Sequence, residues 1–362
     1  MKVVQVAPFY YPVMGGVEKV VKDLSEFLSS RGFEVVVITY NRDRRGVSKF
    51  KHFEELNGIK ILRIRPKLTW SHGSYSPELV TKVKESRADI VHVHVWRHPH
   101  VFQIAKMEGI IKVLHPHSPF YSLKQSGIIN WTYYRIVDTL FRNTIRQYKL
   151  ISITPFEKIK LERKFKVQSK LIPNGVDDLF FSISKRGDEH YLYLGRLSRE
   201  KNVVSLLKAY ELSGTDRPLI LAGPDNGLGK RITKLVYKRK LNVKYVGQVD
   251  DATKIELLRR SRAVINPSPY EGLGLTLLEG EAMGIPSIIV GHGGQEFASP
   301  PGVSSIRTED SPEALAEGLR SMEDDVIHSK LSAGARSWAE NFKLSVVLPM
   351  YLEFYSNLYQ RA

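Results

Sequence analysis

Apolar positions recur along this chain with two alternating periods. KVVQV at 2–6, FEVVVITY at 33–40, IKILRIRP at 59–66, ADIVHVHV at 88–95 and IIKVLHPHS at 110–118 are short β-rich runs suited to buried strands. Between the first two, GGVEKVVKDLSEFLSSRG spaces Val17, Val20, Val21, Leu24, Phe27 and Leu28 on one helical face, closed by Gly32. A long helix is predicted over 128–149, followed by the strand-like LISITP and KLIPNGVD. The pattern then restarts. HYLYLGRLS, PLILAGP, KYVGQV, AVINPS and PSIIVG read as strands, separated by the helical stretches NVVSLLKAYELSG, a basic segment, ATKIELLRRS and the region around 274–283. Strand and helix in alternation predict parallel sheets covered on both faces.

The expected fold class is therefore α/β, with two Rossmann-like doubly wound domains facing a cleft, residues 1–173 and 174–340, joined near Asn174–Asp178. Residues 341–362 form an apolar terminal helix that packs along another element. In such sheets ligands sit beyond the carboxyl ends of strands, and the cleft between the domains is the default site.

Composition narrows the setting. No apolar run approaches the 18 or so residues of a membrane span. The opening MKVVQVAPFYYP lacks a signal peptide's cleavage pattern and reads as a first strand, so a cytoplasmic protein is expected. The absence of cysteine removes disulfide and thiolate chemistry. The net charge of +16 is unevenly held: residues 1–175 carry 30 Lys and Arg against 14 Asp and Glu, whereas the remainder is balanced. One half thus faces an anionic partner: nucleic acid, a membrane surface or a phosphorylated substrate.

Two segments carry candidate chemistry. In GRLSREKN, Arg196 and Lys201 follow a strand and precede a helix, where fixed cations can clamp a diphosphate and stabilise it as it leaves. Alone, the pair reads equally well as a solvated basic turn. PYEGLGLTLLEGEAMGIP, at 269–286, follows a strand with a glycine-rich turn and a helix predicted near Gly274. Amide groups there, over Gly272, Leu273, Gly274 and Leu275, suit a phosphate. Glu271 precedes that terminus and Glu279 lies roughly 7–8 Å further along the axis. Each carboxylate can accept from two hydroxyls, so the pair can hold the two sugars of one nucleotide-sugar. The plainer alternative is a dipole-favoured acid at Glu271 and a solvated face at Glu279.

Taken together, the GRL…EK element and the E-x7-E pair about 70 residues later resemble the retaining family 4 glycosyltransferases of GT-B architecture (glycosyl transferases group 1). P-x-x-GGVE-x-V at 12–20, DIVHVH at 89–94, HPHSPF at 115–120 and IPNGVD at 172–177 follow in the family's order. The resemblance implies that Arg196 and Lys201 contact the donor diphosphate, that Glu279 binds the ribose and that Glu271 holds the transferred sugar. It implies a Gly15–Gly16 loop near phosphate and acceptor, a histidine near the donor sugar, and a final helix that crosses back onto the first domain. His117 aligns best with that histidine, with His115 as the alternative by register. The expected reaction is a front-face transfer with retention from a UDP- or GDP-type sugar. No cofactor is expected: the lack of any D-x-D triplet fits catalysis without metal, Arg196, Lys201 and the helix terminus standing in for Mg²⁺.

Six histidines between 92 and 117 have the density of a metal site, yet no carboxylate or cysteine joins them locally, and no metal ligand is assigned. After Glu279 the family's order is altered to Gly280–Glu281–Ala282–Met283, and HGGQEF leaves a role for Glu296 in doubt. On the acceptor side, Arg135, Arg142, Arg146 and Lys149 make a basic stripe within 128–149, with Trp131, Tyr134, Val137, Leu140, Phe141 and Ile145 as apolar material. A glycan or lipid-linked acceptor and an anionic membrane surface are the expected partners. An ordinary core helix with a solvated basic face explains the same segment. A sugar-nucleotide epimerase of similar architecture is the rival enzyme. A nucleic-acid-binding protein would explain the charge, but no helix-turn-helix, zinc finger or RNA-binding motif appears.

Overall fold

A computed structural model describes the chain except for residues 14, 45, 47–49, 71–72, 119 and 361–362. It divides into two compact units. The first comprises Met1–Phe120, Gly127–Pro173 and Leu348–Ala362; the second comprises Tyr121–Ser126 and Asn174–Val347.

The first unit is built on an eight-stranded sheet. Its spatial order is Ser169–Leu171, Lys149–Ser152, Ile111–His115, Ile90–His94, Lys2–Val6, Glu34–Tyr40, Ile59–Ile64 and Phe53–Leu56. All pairings are parallel except the last, where Asn57 and Gly58, both at positive φ, turn a hairpin back onto the edge. Central strands are buried on both faces because helices cover them: Val36, Val37, Ile38, Val91 and Val93 are enclosed, and so are the polar Gln5, His92 and His94. Register places Gln5 opposite His92 and His94 opposite His115, so these four side chains share one face.

The second unit holds a six-stranded parallel sheet ordered Val243–Gly247, Leu219–Ala222, His190–Leu194, Ser261–Asn266, Ser287–Val290 and Ser305–Thr308. Numbered along the unit this is 3-2-1-4-5-6, the order in which connections reverse direction between the first and fourth strands. Right there, GRLSREKN leaves the carboxyl end of His190–Leu194 and PSPYEGLG leaves that of Ser261–Asn266. The two candidate segments therefore flank one switch point.

The long helix expected over 128–149 is instead two pieces, Leu123–Leu140 and Arg142–Ile145. Gly127, at φ 73°, breaks the first near its start. Tyr134, Val137, Phe141 and Ile145 turn inward as the spacing suggests, but Leu140 is exposed with Ile128, Ile129 and Ile136. No helix among the described residues is long and apolar enough to cross a membrane.

Candidate active site

Arg196 and Lys201 are set by a close backbone approach. Gly223, at φ 139°, lies so near the strand end that a Cβ there would sit 2.0 Å from the Gly195 carbonyl. The buried Tyr193 hydroxyl donates to the Arg196 carbonyl at 2.7 Å. A single 3-10 turn, Arg199–Lys201, then carries Lys201 back, with Asn202 left-handed before the helix Val203–Ser213. The Lys201 ammonium meets the Glu271 carboxylate at 2.5 Å, joining the two segments that sequence spacing had singled out. Arg196 remains half-exposed and pairs at 3.5 Å with Glu200, not with either candidate glutamate.

Glu271 is held from below. The loop 269–274 rests on Gly291–Gly294, where a Cβ on Gly294 would meet the Gly272 carbonyl at 1.8 Å. Gln295, fully buried, accepts from the Glu271 amide at 2.9 Å and donates to the Val290 carbonyl at 2.9 Å. The HGGQEF segment thus works through Gln295, while Glu296 turns away to Arg307 and His292. Leu273 is buried and Gly274, at φ 97°, leads into the helix Leu275–Glu281. Seven residues make a weak dipole, so an anion there would rely chiefly on the side-chain cations.

Glu279 does not lie on a solvated face. It is buried and accepts from Lys254 at 2.9 Å. Burial is the largest influence and depresses the Lys254 pKa, but the charges and hydrogen bonds of Glu279 and Asp251 together outweigh it and hold the ammonium above its ordinary value. Glu281 is more deeply enclosed, hydrogen-bonded to Ser299, and its pKa is pushed well up by burial. Lys254 and Gln295 were not visible in sequence spacing; one is a lysine in a helix that also carries Arg259, the other an amide in a five-residue helix.

In the first unit, Gly15 precedes the helix Gly16–Ser30 and lies tight against the Glu18 carboxylate, which pairs with Arg44 at 2.8 Å. His117 and Ser118 both adopt left-handed backbone, φ 57° and 55°. The buried Glu157 carboxylate holds this turn, accepting from the Ser118 amide at 2.6 Å and the Ile153 amide at 2.7 Å. His115 is fully buried, stacked at 3.8 Å beneath His117, which is only partly buried. Among the described residues one group, His92, His94 and His115, brings potential metal-ligating atoms within 4.8 Å of one another.

Two doubly wound sheets, each with charged side chains gathered past the strand ends, define a GT-B-type glycosyltransferase. The chain belongs to glycosyltransferase family 4. Residues 14–178 match the family described as Glycosyltransferase Family 4, and residues 177–338 match Glycosyl transferases group 1. The D-rhamnosyltransferase WbpZ of Pseudomonas aeruginosa is 26% identical over 76% of this chain and 73% of that protein. Glycogen synthase of Mycobacterium tuberculosis is 26% identical over 90% and 86%. Sucrose-phosphate synthase of Thermosynechococcus elongatus superposes with a TM-score of 0.80 at 19% identity, covering 100% of both chains, and shares the fold.

Proposed function

We propose that this enzyme moves a hexosyl group from a UDP- or GDP-type sugar to a hydroxyl of a glycan or lipid-linked acceptor, with retention and without a metal ion. The Lys201–Glu271 contact at the switch point carries this reading. With no donor bound, cation and carboxylate neutralise each other. A donor diphosphate would draw Lys201 to itself and release Glu271 to accept from sugar hydroxyls, so the pair is exchanged rather than lost. Arg196 and Lys201 then stabilise the negative charge that gathers on the departing diphosphate as the anomeric bond breaks. The acceptor hydroxyl attacks from the same face and passes its proton to a leaving phosphate oxygen. Glu279, paired with Lys254, accepts from the ribose hydroxyls. Within the first unit, His117, Gly15 and Gly16 are the residues we assign to sugar and acceptor contacts.

An acceptor held at an anionic membrane surface fits the Leu123–Leu140 helix. Ile129, Tyr133, Ile136 and Leu140 recur every three to four residues and are all exposed, beside exposed Arg135 and Arg142. The apolar stripe supplies insertion, and Arg135 and Arg142, exposed on other sides of the segment, supply attraction to anionic lipid.

The test is thermal shift with nucleoside diphosphates in chelator, together with release of nucleoside diphosphate from a panel of sugar nucleotides. The wild type should be stabilised, and the Arg196→Ala, Lys201→Ala variant should not. An equal shift in both removes the site; no turnover of any donor with any acceptor removes the activity. Sedimentation with anionic but not zwitterionic vesicles, lost in Ile129→Glu, Leu140→Glu, tests the surface.

A further inference from the structure

Behind His117 the first unit buries a polar chain that the transfer reaction does not itself require. His94 Nδ1 lies 3.0 Å from His117 Nε2, and His94 Nε2 lies 2.7 Å from Gln5 Oε1. Gln5 and His94 are completely buried, on adjacent strands and on one sheet face, whereas His117 reaches the surface. Enclosure keeps His94 neutral, so it owns a single N–H. The Gln5 oxygen can only accept, which assigns that hydrogen to His94 Nε2 and leaves His94 Nδ1 as a lone pair. His117 Nε2 must then carry a hydrogen to make its 3.0 Å contact. The Gln5 amide nitrogen, on the other side of the carboxamide, is buried without a hydrogen-bond partner among the described residues. His117 Nδ1 has no partner among the described residues.

We infer that Gln5 and His94 are positioning residues that lock His117 as its Nε2–H tautomer, so that Nδ1 faces the ligand as an acceptor. The inference rests on His117 being a donor-sugar residue only for its consequence. An Nδ1 lone pair takes a hydrogen bond from a sugar hydroxyl and repels a phosphate oxygen, so the ligand group at His117 is a hydroxyl. The chain also explains why a backbone with two consecutive left-handed residues is retained here: His117 must meet both Glu157's loop and His94's nitrogen.

The test reads tautomers directly, in the full chain without any donor, by long-range proton–nitrogen correlation of ¹⁵N-histidine protein. Resonances are assigned by His117→Gln and His94→Asn. Wild type should show His117 protonated at Nε2 alone. Gln5→Leu should leave His117 a mixture of tautomers. His94→Phe, which keeps a ring but no acceptor, should do the same, and His94→Asn, whose amide oxygen can accept, should restore Nε2–H. Turnover with the identified donor should fall roughly tenfold in Gln5→Leu, the worth of one neutral hydrogen bond, and recover in His94→Asn relative to His94→Phe. A wild-type His117 protonated at Nδ1, or an unchanged tautomer in both Gln5→Leu and His94→Phe, overturns the lock. So does stoichiometric Zn²⁺ in the purified protein coordinated by His94, since the metal would occupy the lone pair His117 needs. Failure of every donor to turn over removes the sugar contact but leaves the tautomer result standing, so the two failures are separable.

Discussion

Replacing Glu157 with glutamine isolates what one buried carboxyl does to the turn that carries His117. The side chain begins at the amino end of the helix Pro155–Phe165, where Thr154 accepts from the Glu157 amide at 3.0 Å and Pro155 occupies the first turn. From there it receives the Ser118 and Ile153 amides. Burial outweighs those two donors and raises its pKa from 4.5 to about 7. The folded chain therefore keeps a proton that the unfolded chain releases. Its contribution is fully present below about pH 4.5 and is lost as pH rises through about 7, an interval worth about 3 kcal/mol at 1.4 kcal/mol per pH unit. Glutamine cannot ionise, but it keeps only one accepting oxygen and turns an NH2 against the second amide, which costs about 1–3 kcal/mol at every pH. The variant should therefore lie below the wild type near pH 5 and gain about 3 kcal/mol on it by pH 8. Urea unfolding at both pH values, with the first unit followed by hydrogen exchange in peptides spanning 90–118, measures the difference. The opposite slope, with the variant losing further ground on the wild type between pH 5 and pH 8, would mean that the two amides hold the carboxylate ionised and would refute the reasoning. Glu281 titrates with the same sign, but it is present in both proteins and cancels.

Other substitutions follow from the same geometry. Lys254→Met removes the ammonium paired with the buried Glu279 and should cost ~3 kcal/mol of the second unit's unfolding free energy, with nucleotide affinity becoming steeper in pH. Glu271→Ala should lower turnover more than nucleotide binding, and Glu279→Ala should weaken nucleotide binding itself, both read by calorimetry beside steady-state kinetics; equal, negligible effects restore the plain surface-acid reading. Gly223→Ala drives a methyl into the Gly195 carbonyl at a positive φ and should destabilise by more than ~4 kcal/mol, seen as loss of soluble protein. Asp138 is pushed up by burial but held below its ordinary range by Arg97, with Lys164 and Trp96 also bonded to it. Asp138→Asn should cost about 3 kcal/mol at neutral pH, and the difference should shrink as pH falls through the folded pKa, opposite in sign to Glu157.

Where the candidate residues lie was legible because side chains that follow strand ends in doubly wound sheets gather at one edge, and strand ends are readable. Arg196, Lys201 and Glu271 each come a few residues after an apolar run, and the sheet order delivers them to one switch point. The reading failed where local pattern had two solutions. Apolar spacing through 128–149 is compatible with one helix, but Gly127 and the turn at Phe141 divide it, and the exposed Ile128–Leu140 face cannot be told from a core face by period alone. The Asn57–Gly58 hairpin was a strong turn signal that went unread between two short strands.

The sequence by itself determined the alternation of strands and helices, because burial on both faces makes the central strands predominantly apolar, with few polar interruptions. It also determined which charged residues stand at the strand ends. Only the tertiary structure decided what each of them does. Lys254 meets Glu279 across 25 residues, Gln295 meets Glu271 across 24, and Gln5 meets His94 across 89. Such partnerships depend on sheet register and loop packing, which bring together side chains with no shared period along the chain, and they turn a surface acid into a buried acceptor and a strand histidine into the lock on its neighbour's proton.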